Sequence, residues 1–232
     1  MKDRIRALSG RTEFLIVVIG AFGIFLPSNV LALLTPANVL PRSVGSINNG
    51  SLNTLIVYEL AMLTALGIFL RARGWTFPRI GLAPSVRDTL AGVGLTVGGY
   101  AVHLVVLFLF ALALPALVTG PQFATQLVAE SLALNTIVAV SVVNPIFEEV
   151  FVCGYIVTAL KERRGVTFAV NLSTALRVTY HLYQGPLGVL AIAPIGLIFA
   201  YWYARTNRLW PVIVAHGAMD LIGLAVASGV AG

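Results

Sequence analysis

Two adjacent glutamates, Glu148 and Glu149, lie in an apolar stretch that begins near Leu132 and contains no other charge before Lys161. Inserting a carboxylate at mid-bilayer depth costs at least a few kcal/mol, so acidic residues in such stretches usually have a function. A carboxylate held in apolar surroundings beside a second one can act as a general base that takes a proton from water. The pair therefore indicates hydrolytic chemistry.

Further polar residues lie in two later apolar segments. Arg177 and His181 are four residues apart, as are His216 and Asp220, and this spacing puts each pair on one helix face. At a rise of 1.5 Å per residue, Glu148, His181, His216 and Asp220 come to overlapping depths in the bilayer. We therefore expect a buried polar site formed on three helices by Glu148, His181, His216 and Asp220. Its two imidazoles could orient water, stabilise an oxyanion or bind a divalent metal.

The composition indicates that these segments lie in lipid. Hydrophobic residues make up 58% of the chain and charged residues 10%, with a mean hydropathy of +0.93, whereas soluble domains are about 25% charged. With about 20 apolar residues per span, we predict an all-α membrane bundle of about seven transmembrane helices. The helices are predicted near residues 13–34, 52–70, 89–114, 132–160, 166–183, 187–204 and 209–230. We predict a single domain, 1–232, with the chemical motifs in 145–225.

The distribution of basic residues predicts the orientation of this bundle. Thirteen of the fifteen Lys and Arg residues fall in alternate connecting segments, beginning with the amino-terminal one, and the exceptions are Arg42 and Arg177. Because such residues collect in cytoplasmic loops, we predict a cytoplasmic amino terminus in a bacterial cytoplasmic membrane. The first apolar stretch is too long for a cleavable signal. Topology accounts for the net charge of +6, so a lipid bilayer is the expected partner and nucleic acid is not.

Three short motifs resemble those of the CPBP family (CAAX protease and bacteriocin-processing, also called Abi) of intramembrane proteases. The family motif E-E-x-x-x-R corresponds to EEVFVC, which has Cys153 in place of the arginine. F-x-x-x-H corresponds to RVTYH, with Arg177 in place of the phenylalanine, and H-x-x-x-N or H-x-x-x-D corresponds to HGAMD. The motifs follow in the family's order over about the last 90 residues, and it is their combination that is specific.

The resemblance implies an intramembrane peptidase that cuts a membrane-associated peptide or protein. Glu148 would be the general base, supported by Glu149 and His181, and His216 and Asp220 would complete the site. The family has been described both as metalloproteases and as metal-free glutamate proteases, so zinc, another divalent metal or no metal are all open. The candidate metal ligands are Glu148, His181, His216 and Asp220.

The two departures from the family motifs suggest a compensation. In the family motif an arginine would balance the charge of the glutamate pair, and here Cys153 stands in its place. Arg177 could supply the missing positive charge, so we expect Arg177 to support the site. Glu59, in the second predicted helix, fits either a contact to the site or a helix-packing contact, and Asn144 with Pro145 predicts a kink.

Two other functions stay open. One is a catalytically silent family member acting in bacteriocin immunity or partner binding; the other is a proton- or cation-coupled transporter, although no internal repeat supports it.

Overall fold

The computed structural model describes residues 5, 7–34, 47–115 and 131–229, and within them the chain is helical with no β-strand. This confirms the predicted all-α class. In chain order the helices are α1 Gly10–Phe22, α2 Phe25–Leu34, α3 Asn49–Ala72, α4 Val86–Ala113, α5 Leu134–Glu149, a π-helical segment Val150–Val157, α6 Thr158–Arg164, α7 Val166–Tyr180, a 3₁₀ turn Leu182–Gln184, α8 Gly185–Thr206 and α9 Trp210–Ala227.

Five helices in the described part of the chain are long and apolar enough to cross a membrane. These are α3, α4, the continuous run Leu134–Arg164, the Gly188–Thr206 part of α8, and α9. A sixth span results if α1 and Phe25–Leu31, which meet at a 69° bend, cross together. The helix predicted at 166–183 is α7, which has 15 residues. It is about 22 Å long, shorter than a hydrocarbon core of about 30 Å.

Polar caps and one glycine set several helix ends. Asn48 and Ser51 form a capping box at the start of α3, and the Ser85 side chain accepts a hydrogen bond from the backbone N–H of Asp88 at the start of α4. Gly165 joins α6 to α7 and has a φ of 84°. Residues with a Cβ rarely adopt this backbone conformation. The sharp turn at Gly165 sends α7 back alongside the preceding helix.

The run Leu134–Arg164 is the most buried helix, and it is not a regular α-helix as predicted for 132–160. Its middle is the π-helical segment, whose wider turn starts directly after Glu149. Side chains from neighbouring helices lie against carbonyls of this segment. Ser173 Oγ donates to the carbonyl of Val152 at 2.9 Å, and the Tyr203 hydroxyl lies 3.3 Å from the carbonyl oxygen of Gly154 and 3.1 Å from that of Ile80. Such π-helical turns are frequent at functional sites.

The other helices surround this central run, while α3 and α4 have extensive apolar surfaces. α9 packs against α4 and α5, and α7 packs against α8 and the π-helical segment. Large apolar side chains on α4, such as Val97, Leu104 and Phe108, are more than half exposed, as expected of a helix that faces lipid tails. The cytoplasmic orientation of the amino terminus stays a prediction, and Lys2, Arg4, Arg6 and Arg42, which entered it, lie outside the described residues.

Candidate active site

Glu149 lies at the centre of the buried polar site with all its acceptor oxygens occupied. It ends α5 and is fully buried. Arg177 Nη2, from α7, donates to both of its carboxylate oxygens, at 2.7 and 2.8 Å. His216 Nδ1, from α9, lies 2.7 Å from Oε1, and because an ionised carboxylate only accepts, Nδ1 carries the proton. Glu149 therefore fastens α7 and α9 to α5.

Glu148 is buried beside it but is held less completely. The Tyr180 hydroxyl donates to Oε2 at 2.5 Å, and Arg177 Nη1 lies 3.4 Å from the same oxygen. Asn144 Nδ2, one helical turn earlier on α5, is 3.3 Å from Oε1. Only the Tyr180 contact is short, so the Glu148 carboxylate retains lone pairs that can accept a further proton donor.

Two imidazoles face Glu148, and a further carboxylate lies beside one of them. His181 follows α7, and its Nδ1 lies 2.9 Å from the carbonyl oxygen of Arg177, so Nδ1 donates and Nε2 points to Glu148 Oε1 at 3.9 Å. His216 Nε2 is 4.0 Å from Glu148 Oε2 and 3.5 Å from Asp220 Oδ1. Gaps near 4 Å are too long for direct hydrogen bonds and suit an intervening water.

A close helix contact brings His216 into the site. Pro145 has no N–H to give to the carbonyl of Ser141, four residues earlier on α5, and α9 approaches that carbonyl at Gly217. A Cβ added at Gly217 would lie 2.7 Å from the carbonyl oxygen of Ser141, closer than a Cβ and a carbonyl oxygen approach each other in proteins. A glycine at this position therefore lets its neighbour His216 reach Glu149.

The structure brings together all five residues predicted to form the site, although their catalytic roles stay predictions. Glu148, Glu149, His181 and His216 lie around one another, and Asp220 joins them through His216 with a more exposed side chain. Sequence analysis did not single out Tyr180, which directly precedes His181 and makes the shortest hydrogen bond to Glu148. The only signal for Tyr180 in the sequence is its place inside the RVTYH motif.

Arg177 occupies the position between the two glutamates that the compensation hypothesis requires. It is the cation nearest to both carboxylates among the described residues. Cys153, the residue in place of the family arginine, is fully buried against Glu149 and Arg177. The stem of Arg177 packs on Gly196 of α8, where an added Cβ would lie 3.2 Å from Cδ. The arginine on α7 thus reaches the space beside Cys153.

The donor atoms suit a divalent metal in one of two possible sets. Glu148, Glu149 and His216 each offer a ligand atom within 4.8 Å of the others, but Glu149 would have to release Arg177. Glu148 with the Nε2 atoms of His181 and His216 needs no such change, since the Nδ1 of each histidine already donates to an oxygen, as is usual for metal-binding histidines. The gaps of 3.9 and 4.0 Å are slightly wider than the about 3.3 Å between ligand atoms of tetrahedral zinc. Among the described residues, only the first set has all its ligand atoms within 4.8 Å of one another.

Comparisons with known proteins agree with the resemblance in the motifs. Residues 130–222 match the family model described as "Type II CAAX prenyl endopeptidase Rce1-like". Over 84 residues the chain is 36% identical to a Bacillus subtilis (strain 168) protein named "Putative membrane peptidase YdiL", a match that covers 36% of this chain and 34% of that protein. The chain therefore matches about a third of the length of this relative. No solved structure matches the chain.

Proposed function

Because residues 130–222 match the CAAX prenyl endopeptidase Rce1-like family model and carry the CPBP-like motifs, we propose that this protein is a membrane peptidase. It hydrolyses a peptide bond of a membrane-associated peptide or protein, in what we propose is a bacterial cytoplasmic membrane. One observation supports this best. The buried carboxylate of Glu148 keeps acceptor capacity and faces two imidazole nitrogens across gaps of 3.9 and 4.0 Å.

The proposed reaction uses the space between these groups for water. Glu148 takes a proton from the water while the water oxygen attacks the carbonyl carbon of the substrate and forms a tetrahedral intermediate. When the peptide C–N bond of that intermediate breaks, Glu148 gives the proton to the leaving amine nitrogen, so no proton is gained or lost. His181 and His216 orient the water through Nε2. When an imidazole is protonated, its Nε2–H can donate to the oxyanion, whereas ionised Asp220 only accepts.

The neighbouring residues keep Glu148 in this role. Tyr180 and Arg177 hold its Oε2 atom, and Glu149 fixes both Arg177 and the proton position on His216. If zinc or a similar metal is a cofactor, Glu148 and His216 would hold it, with Glu149 or His181 as a further ligand. A bound metal would supply polarisation of the substrate carbonyl and a more acidic water.

Cleavage of a fluorogenic peptide library by the purified protein in detergent tests this proposal. We expect Glu148→Gln to lower cleavage by about 10²- to 10⁴-fold, the usual contribution of a general base, while Glu162→Gln, at an exposed glutamate, leaves it unchanged. Loss of wild-type cleavage with a chelator would favour the metal-dependent form. Cleavage that survives Glu148→Gln would contradict the proposed centre.

The alternative of a catalytically silent family member rests on Cys153, which stands where the family motif has arginine. The contacts of Arg177 with both carboxylates favour the peptidase. A folded wild-type protein that cleaves no peptide of the library, but binds one, would favour this alternative.

A further inference from the structure

Glu59, which lies outside the region matched by the family model, reaches the edge of the site from α3. Its side chain is 1% exposed. Asn144 Nδ2 donates to Glu59 Oε1 at 2.6 Å and lies 3.3 Å from Glu148 Oε1. One amide group thus bridges two buried carboxylates on different helices.

This bridge fixes the orientation of the Asn144 amide. The nitrogen has two hydrogens, and each carboxylate accepts one of them. Turning the amide over would point its carbonyl oxygen at the Glu148 carboxylate, which only accepts hydrogen bonds when ionised, and this is repulsive. Glu59 therefore keeps the nitrogen of Asn144 directed at Glu148, and Asn144 in turn holds Oε1 of Glu148 in place.

The Glu59 carboxyl group is only partly satisfied by hydrogen bonds. Its Oε2 atom has no hydrogen-bond partner among the described residues, and a buried polar atom without a partner destabilises a fold. Glu148, Asp220 and His216 all lie close enough to interact electrostatically with this carboxylate. A glutamine or leucine would pack there with less electrostatic cost, so the acid is better explained by function than by helix packing.

We propose that Glu59 is a positioning residue of the active site: through the Asn144 amide it directs Glu148 Oε1 toward the attacking water. This inference rests on the proposed peptidase function. It extends the site to α3, in the half of the chain where the family motifs are absent.

The test compares kcat, KM and the melting temperature of purified variants in detergent. We expect Glu59→Leu to lower kcat about 10- to 100-fold, as loss of a residue that orients a catalytic ligand typically does, with KM unchanged and the melting temperature equal or higher. Glu59→Gln, whose carbonyl oxygen can accept the same hydrogen bond from Asn144, is expected to recover most of kcat. The double variant Glu59→Leu/Asn144→Leu is expected to be no slower than Asn144→Leu alone.

A matched control is Glu13→Gln, at a buried glutamate whose oxygens are all partnered; it should lower the melting temperature and leave kcat unchanged. A Glu59→Leu protein with normal kcat, a Glu59→Gln protein as slow as Glu59→Leu, or additive effects in the double variant would each overturn the positioning role. If Glu148→Gln leaves cleavage intact, the proposed function itself fails and the positioning role fails with it. If Glu148→Gln abolishes cleavage and Glu59→Leu does not change it, only the positioning role fails.

Discussion

Two clusters in this protein join a buried glutamate to an arginine from another helix, and they differ in how fully the carboxylate is occupied. In the Glu13 cluster, Glu13 Oε2 accepts from Arg73 Nε at 2.5 Å. Its Oε1 accepts from Trp75 Nε1 at 3.0 Å and from the Tyr155 hydroxyl at 3.1 Å. These contacts tie α1 to the end of α3 and to the π-helical segment.

At the other cluster the two neighbouring glutamates differ in their contacts. Glu149, like Glu13, has both oxygens occupied by short hydrogen bonds and joins three helices. Glu148 has one short hydrogen bond and faces imidazole nitrogens at about 4 Å. A buried carboxylate with all acceptors filled holds the fold together, whereas one with remaining capacity next to imidazoles is available for chemistry.

Removing the shared cation should have the largest effect, because it affects both kinds of glutamate at once. Arg177→Met leaves Glu148 and Glu149 without their nearest countercharge, and breaking a buried pair in this way costs about 3–5 kcal/mol. We expect loss of peptidase activity together with a lower free energy of unfolding. Denaturant titration in detergent and the peptide cleavage assay measure the two effects.

A double variant tests whether the glutamate pair needs a positive charge as such or needs it on α7. Arg177→Phe combined with Cys153→Arg puts back the usual family residue in both motifs and moves the cation from α7 to the π-helical segment. We expect this double variant to regain cleavage that Arg177→Phe alone has lost. Normal cleavage by the single Arg177→Phe variant, in folded protein, would show that the glutamate pair needs no countercharge from α7.

A substitution in the Glu13 cluster should lower stability and leave peptide cleavage unchanged. Glu13→Gln weakens the hydrogen bonds to Arg73, Trp75 and Tyr155, and its neutral amide cannot accept at both positions. We expect a loss of about 1–3 kcal/mol in the free energy of unfolding, with cleavage rates close to wild type. A Glu13→Gln protein with normal stability and low activity would remove the distinction between filled and available carboxylates.

The sequence predicted which polar side chains share a helix face, because their spacing is local. The four-residue separation of His216 and Asp220 and the adjacency of Glu148 and Glu149 specify helix faces, and hydropathy specifies the depth of those faces. The early end of α7 at Tyr180 and the π-helical turn after Glu149 could not be predicted in this way. Each involves side chains from other helices: Ser173 and Tyr203 lie against carbonyls of the π-helical segment, and Asn29 Nδ2 donates to the carbonyl of Tyr180 at the end of α7.

The contact between Glu59 and Asn144 shows the same limit. An isolated acid in an apolar helix indicates an unusual contact but does not identify its partner, which is 85 positions along the chain. The sequence left Glu59 between a contact to the site and a packing contact. The partner emerges only when α3 and α5 are packed together.

Cys153→Ala should have the smallest effect, and it tests whether the charge or the thiol matters at this position. Cys153 is fully buried against Glu149 and Arg177, and replacing it with alanine removes one sulfur atom and no charge. We expect a loss of about 1 kcal/mol in the free energy of unfolding and cleavage close to wild type, because Arg177 continues to neutralise the glutamates. If Cys153→Ala abolished cleavage in folded protein, the thiol would belong to the site, and counting carboxylate partners would not be enough to distinguish the residues that react from those that hold the helices.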